Sequence, residues 1–325
     1  MKFKRIIAAA MSAVMLASTS MMAGCSENPA DGNKVYNIGV CQLLEHPALG
    51  AATQGFSEKL TELLGDNVKI DVQYAQGEVT NCVTITNNFV AANVDLILAN
   101  ATSPLTTAAS ATSTIPIVGT SITDYATALG ITSGWTGKSG KNITGTSDLA
   151  PIDQQEKLLL ELFPDCKKVG ILYCSSEANS KYQANLFIEA LKADGKDYKE
   201  FTAADANEIP SAVQTAIGEC DVLYIPTDNT FADATETVKS IVEPAKIPVI
   251  AGEEGICGGC GVATLSISYY DIGAIAGEMA YDILVNGKNP GDMDIQFAPQ
   301  FTKKYNAAMC ESLGITPPEG YEAIE

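Results

Sequence analysis

The sequence predicts an α/β protein of two lobes, each built on a parallel β-sheet with helices on both faces. Short apolar, β-branched runs alternate with longer amphipathic stretches from Val35 onward, and the same rhythm restarts after Asp148. A length of 325 residues with 46% hydrophobic content is enough for two cores. Alternation of this kind favours parallel sheets, because strands buried on both faces read as continuous apolar runs and helical crossovers return the chain to the same edge.

In the first half the pattern predicts a strand over Val35 to Cys41 and a helix over Pro47 to Leu64. It continues with Val68 to Tyr74 and Thr80 to Ala92, then Asp95 to Ala99 and Pro104 to Ala111. In the second half, helix Pro151 to Phe163 leads into strand Val169 to Tyr173 and helix Ser180 to Ala193. Strand Lys199 to Phe201, helix Ile209 to Ile217, strand Val222 to Ile225 and helix Phe231 to Glu243 follow. Between the halves, Ala126 to Thr146 is rich in Gly, Ser and Thr, holds the single tryptophan Trp135, and reads as a long connection.

The polar residues fall at the strand ends: Gln42 to His46, Thr102 and Ser103, Thr120 to Asp124, Ser175 to Ser180, Thr227 to Asn229, and Glu253 with Glu254. In open parallel sheets the carboxyl ends of the strands face the ligand crevice, so these clusters are expected to converge on a binding site. Each also reads as helix capping, and the two readings are compatible because a helix start offers free N–H groups to an anion. The mature chain has no arginine, so a ligand carboxylate must be met by backbone N–H groups, hydroxyls or lysine.

The first residues carry Lys2, Lys4 and Arg5, an apolar run from Ile6 to about Ala17, and Met22-Ala23-Gly24-Cys25. This order of basic head, short apolar middle and small residues is that of an export signal. The run falls short of the roughly 20 apolar residues that span a bilayer. It resembles a bacterial lipoprotein signal, which implies cleavage after residue 24, lipid attachment at Cys25 and a polar tether over 25–34. Removing the three leader cations leaves 17 Lys and Arg against 39 Asp and Glu, a net charge of −22. Such a surface repels phosphate backbones and anionic headgroups, which argues against nucleic acid and against membrane contact other than through the anchor.

Catalytic patterns are sparse. His46 is the single histidine, and no GxGxxG, P-loop, HExxH or GxSxG motif is present. Cys257-Gly-Gly-Cys260 leaves a tight disulfide, a redox pair, half a metal site and plain structural use open, but no second CxxC or histidine cluster supports a metal. No metal and no cofactor is expected.

The segments IGVCQLLEHPALGAATQGF (38–56), ANATSPLTTAAS (99–110), IPIVGTSITD (115–124), NITGTSDLAP (142–151), KKVGILYCSSEANS (167–180), VLYIPTDNT (222–230) and IPVIAGEE (247–254) resemble the substrate-binding lipoproteins of ABC importers of the tryptophan/tyrosine-uptake type. The resemblance implies a type I periplasmic-binding-protein fold, with two Rossmann-like lobes joined by three hinge crossings. It places 35–147 plus 255–287 in the first lobe and 148–252 plus 292–325 in the second. By position it implies ligand contacts at Gln42, His46, Thr102, Ser103, Thr123, Asp124, Ser176, Glu177, Asn179, Ser180, Asp228, Asn229 and Glu253. It further implies an extracytoplasmic, lipid-anchored monomer that passes an amino acid, aromatic by preference, to separate permease subunits. This chain departs from the family pattern at Gly50, Tyr125 and Cys174-Ser175, which bears on ligand identity.

An amino acid in the cleft is expected to place its carboxylate at Thr102-Ser103 and the SEANS loop. Its ammonium goes to Asp228 or Asp124, and its side chain lies near Tyr125 or Tyr173. A receptor for another small molecule, a sensory or adhesive surface lipoprotein and an exported enzyme are the competing readings.

Overall fold

The computed structural model describes residues 34–324. The expected leader and the lipidation position Cys25 lie outside the described residues.

The chain first forms β1 (Tyr36–Gln42), α1 (Pro47–Leu64), β2 (Val68–Tyr74), α2 (Val79–Ala91), β3 (Leu96–Asn100), α3 (Thr102–Ala111), β4 (Ile117–Ile122), α4 (Tyr125–Ala128) and β5 (Ile143–Ser147). It then crosses to α5 (Ile152–Leu162), β6 (Lys168–Cys174), α6 (Ala178–Ala193), β7 (Asp197–Ala203), α7 (Ile209–Ile217), β8 (Val222–Ile225), α8 (Asn229–Asp233), α9 (Thr235–Ala245), β9 (Val249–Ala251), α10 (Glu254–Cys260) and β10 (Ala263–Ile267). It returns as α11 (Tyr269–Leu284) and β11 (Gln296–Phe297), and crosses again to β12 (Phe301–Tyr305), α12 (Ala307–Leu313) and β13 (Glu322–Ala323).

Among the described residues the first sheet has six strands in the order β11-β5-β4-β3-β1-β2, and the second has seven in the order β13-β12-β10-β9-β8-β6-β7. Pairing is parallel except between β10 and β12, which run antiparallel. In both sheets the order reverses beside the first strand, between β1 and β3 and between β6 and β8, and that reversal is where open sheets leave a crevice.

Three expected boundaries are corrected. Residues 143–146, expected in the connection, belong to β5, paired along β4. Residues 255–267 belong to the second sheet, because α10 packs on α9 and β10 pairs with β9. The second crossing therefore falls at Ile267–Ser268, and the third falls at 298–300 rather than before 292, because β11 pairs with β5 on the first sheet.

The second lobe closes around one core, in which Phe187 and Tyr224 stack with ring centroids 3.6 Å apart. The first lobe has a core on each sheet face: Leu49, Phe89, Ile97 and Leu105 on one side, and Phe56, Leu60, Leu98 and Ala276 on the other. The latter is covered by α1 and α11, whose backbones approach closely at Gly55 and Gly273. A Cβ at Gly273 would collide with the Ala52 carbonyl. Gly273→Ala is therefore expected to destabilise the chain by about 1–3 kcal/mol, the usual range for overpacking, with an exposed Gly50→Ala control near neutral, both read by urea unfolding.

Candidate functional site

Strand-end residues of the two lobes meet in a polar seam. From the first lobe, His46 precedes Pro47 at the first position of α1, and its Nε2 lies 3.2 Å from Asn229 Oδ1 of the second lobe. Burial lowers the His46 pKa, and its Nδ1 has no hydrogen-bond partner. Asn229 is held by Glu177, whose carboxylate accepts from the Asn229 N–H and Nδ2 (3.1 and 2.6 Å) and from the Thr230 N–H and hydroxyl (2.9 and 2.7 Å). A second link joins Gln183 Nε2 to Thr123 Oγ1 at 3.4 Å, while the same amide donates to the Thr227 carbonyl at 3.1 Å.

The crossings are tied into this seam. Asp148, on the first crossing, accepts from the Thr123 hydroxyl (2.9 Å) and from the hydroxyl of Tyr269, which begins α11 after the second crossing (3.0 Å). Burial raises the Asp148 pKa. Gln155 of α5 donates to the Gly252 and Leu265 carbonyls and accepts from Tyr224, so its amide is paired throughout although it is fully buried.

Beside the seam lies a slit. Thr102, Asp124 and Thr127 of the first lobe face Ala178, Asn179 and Tyr182 of the second, too tightly to admit a water molecule. Burial and the nearby charge of Asp124 push the Tyr182 hydroxyl pKa upward. Ser103 borders this region, and its carbonyl accepts from the Thr106 and Thr107 hydroxyls. The backbone is strained just behind the first-lobe wall: Ala101 has φ 98° and Ser121 has φ 57°. Such conformations cost about 1–3 kcal/mol each and concentrate at ligand clamps.

Several expected contact residues carry structural hydrogen bonds. Asp228 is 1% exposed and uses both oxygens on the backbone N–H groups of Cys174 and Phe231. Burial and the Glu177 charge raise its pKa. Glu253 caps α10 through the Gly255 and Ile256 N–H groups. Gln42 lies beneath α1, bonded to Thr53 and the Leu44 carbonyl. Ser176 is exposed and bonds the Ala204 carbonyl, whereas Ser180 is buried against the Thr227 carbonyl. Tyr125 and Tyr173 point elsewhere, to the Thr146 carbonyl and to Glu200. Cys257 and Cys260 are buried free thiols.

Sequence reasoning missed Asp148, Tyr182, Gln183 and Tyr269. The α6 pair carried a signal, since Tyr182 and Gln183 fall one turn beyond Ala178 and Asn179 and so share their faces. Asp148 and Tyr269 are found only once the crossings are placed.

Burial pushes the Glu253 pKa up to about 7, and also raises Asp148 and Asp228. In the unfolded chain such groups ionise near pH 4, so the fold bears the cost of burying their charge as pH rises from there through the folded value. His46 acts oppositely, losing stability below about pH 6.5. Three groups outweigh one, and the melting temperature is expected to be higher at pH 5.5 than at pH 8. Glu253→Gln should flatten that slope in a calorimetric pH series.

The profile of the family described as ABC transporter substrate binding protein matches residues 37–323. A tyrosine-binding protein of Clostridioides difficile (strain R20291) is 36% identical over 307 residues, covering 90% of this chain and 88% of that protein. A Streptococcus pneumoniae ABC domain in complex with L-Trp is 32% identical, with a TM-score of 0.84 over 90% of this chain and 100% of that one. The ligand-free, open structure of a substrate binding protein with adhesive properties from Clostridium difficile is 34% identical. Its TM-score is 0.69 over 90% of this chain and 99% of that one. At nearly equal identity the chain superposes better on the Trp-bound structure than on the open one, as expected of lobes drawn together. The fold is that of type I periplasmic-binding proteins, and the chain belongs to the ABC transporter substrate binding protein family.

Proposed function

We propose that this chain is the lipid-anchored, extracytoplasmic solute receptor of an ABC importer and that its solute is an aromatic amino acid bound between the lobes. The observation that carries the site is the facing of Thr102, Asp124 and Thr127 against Ala178, Asn179 and Tyr182 across the slit. The tyrosine and tryptophan of the related proteins support the solute class.

In this reading the solute carboxylate rests on the α3 start at Thr102 and Ser103, where free N–H groups and the helix dipole substitute for the absent arginine. The ammonium pairs with Asp124. One Asp124 oxygen caps α4 through the Thr127 N–H, which leaves its charge available on the slit wall. The ring packs beside Tyr182. The solute touches both lobes at once only when they are shut, so binding shifts the population toward the closed form. That form presents the surface a permease reads, and the solute leaves chemically unchanged. The receptor acts as a monomer held by lipid at Cys25. A second reading, an adhesive role at the cell surface, is favoured only by the adhesive properties of the Clostridium difficile relative.

A thermal-shift screen over the twenty amino acids tests the solute class. L-tyrosine or L-tryptophan at a hundred times its Kd is expected to add about 2.7 kcal/mol of stability; stabilisation by none of the aromatic amino acids would contradict the reading. Asp124→Asn keeps a capping oxygen but removes the charge, and should weaken the best ligand at least about tenfold, or roughly 1.4 kcal/mol, by calorimetry. Cys25→Ser should move the protein from the membrane fraction to the soluble one.

A further inference from the structure

Apart from the slit, the structure has a groove of about 750 Å³ beside the second crossing. It shares no lining residue with the slit. Pro47, Ala48 and Ala51, from the first two turns of α1, form an apolar wall on the first lobe. Ile267 and Tyr269 form the floor at the crossing, buried in a small cluster with Ala48 and Ala52.

The opposing wall belongs to the second lobe and carries its polar groups. The half-buried Glu254 carboxylate has no hydrogen-bond or ion-pair partner among the described residues. Among the described residues Lys304, which lines the same groove, meets only Glu322, at 3.1 Å, whose side chain is 80% exposed. A surface pair of that kind holds about 0–1 kcal/mol and is readily exchanged for a ligand. Thr302, also on the wall, has a buried hydroxyl oxygen with no partner. Clefts of roughly 300–1,000 Å³ with apolar walls and a few convergent polar groups are the usual shape of small-molecule sites.

We propose that this groove is a second binding site, specific for a small zwitterion of the amino-acid class. Its ammonium pairs with Glu254, its carboxylate with Lys304 and the Thr302 hydroxyl, and its apolar side chain lies on Pro47, Ala48, Ala51 and Ile267. Because the two walls come from different lobes, an occupant favours the arrangement that brings them together. Tyr269 joins the two places, since it floors the groove and donates to Asp148, which holds Thr123 in the seam. The inference rests on the reading that the transported solute occupies the slit.

The test is methyl NMR on the full chain labelled at alanine and titrated with L-tryptophan. Ala128 and Ala178 report the slit, and Ala48 and Ala51 report the groove. The slit methyls should saturate first, and the groove methyls should then show a second phase with a midpoint at least about tenfold higher. Glu254→Gln with Lys304→Met should remove that second phase and leave the slit midpoint within about twofold of the parent. Groove methyls that move in a single phase with the slit, or a second phase that survives the double substitution, would overturn the proposal, as would silence at both places. A response confined to the groove would instead sink the slit assignment and leave the groove site standing.

Discussion

A polar side chain taken out of water must find a partner, and here each lobe supplies partners for the other. Thr123 is bonded from Gln183, His46 meets Asn229, and Asp148 ties Thr123 to Tyr269 across two crossings. Leaving such groups unpaired costs about 1–3 kcal/mol each, so hydrogen bonding across the seam adds to the apolar contact of Ile267 with Ala48 and Ala52 in fixing this arrangement. His46 Nδ1 has no partner in that seam among the described residues.

The same constraint explains which residues were legible in the sequence. Helices Pro47–Leu64 and Ile209–Ile217 and strands Val68–Tyr74 and Val222–Ile225 have the bounds that periodicity alone indicates, because their apolar spacing and flanking breakers leave little choice. The stretch read as one helix from Phe231 to Glu243 is two, meeting at Ala234, which ends α8 and begins α9. The sheet membership of β10 and β11 was hidden, since pairing across a crossing is non-local and short strands carry little pattern.

The site was legible at the level of loops but not of roles. A carboxylate at a strand end has two uses, capping the next helix or meeting a ligand, and composition does not separate them. Asp228 and Glu253 cap, with both oxygens spent on backbone N–H groups, while Asp124 caps with one oxygen and keeps its charge on the slit wall. The difference arises from depth: Asp228 and Glu253 are almost fully buried, whereas Asp124 is half-exposed. The strained backbone at Ala101 and Ser121 was likewise invisible, because neither is the glycine that usually marks a positive φ.

A solute is expected to draw two separable lobes onto this seam. Small-angle X-ray scattering of the full chain with and without saturating L-tyrosine or L-tryptophan measures it directly. The radius of gyration with solute should be smaller than without it, yet no smaller than that of the structure described above, whose slit must part enough to hold the solute. A radius unchanged by a solute shown independently to bind would contradict it.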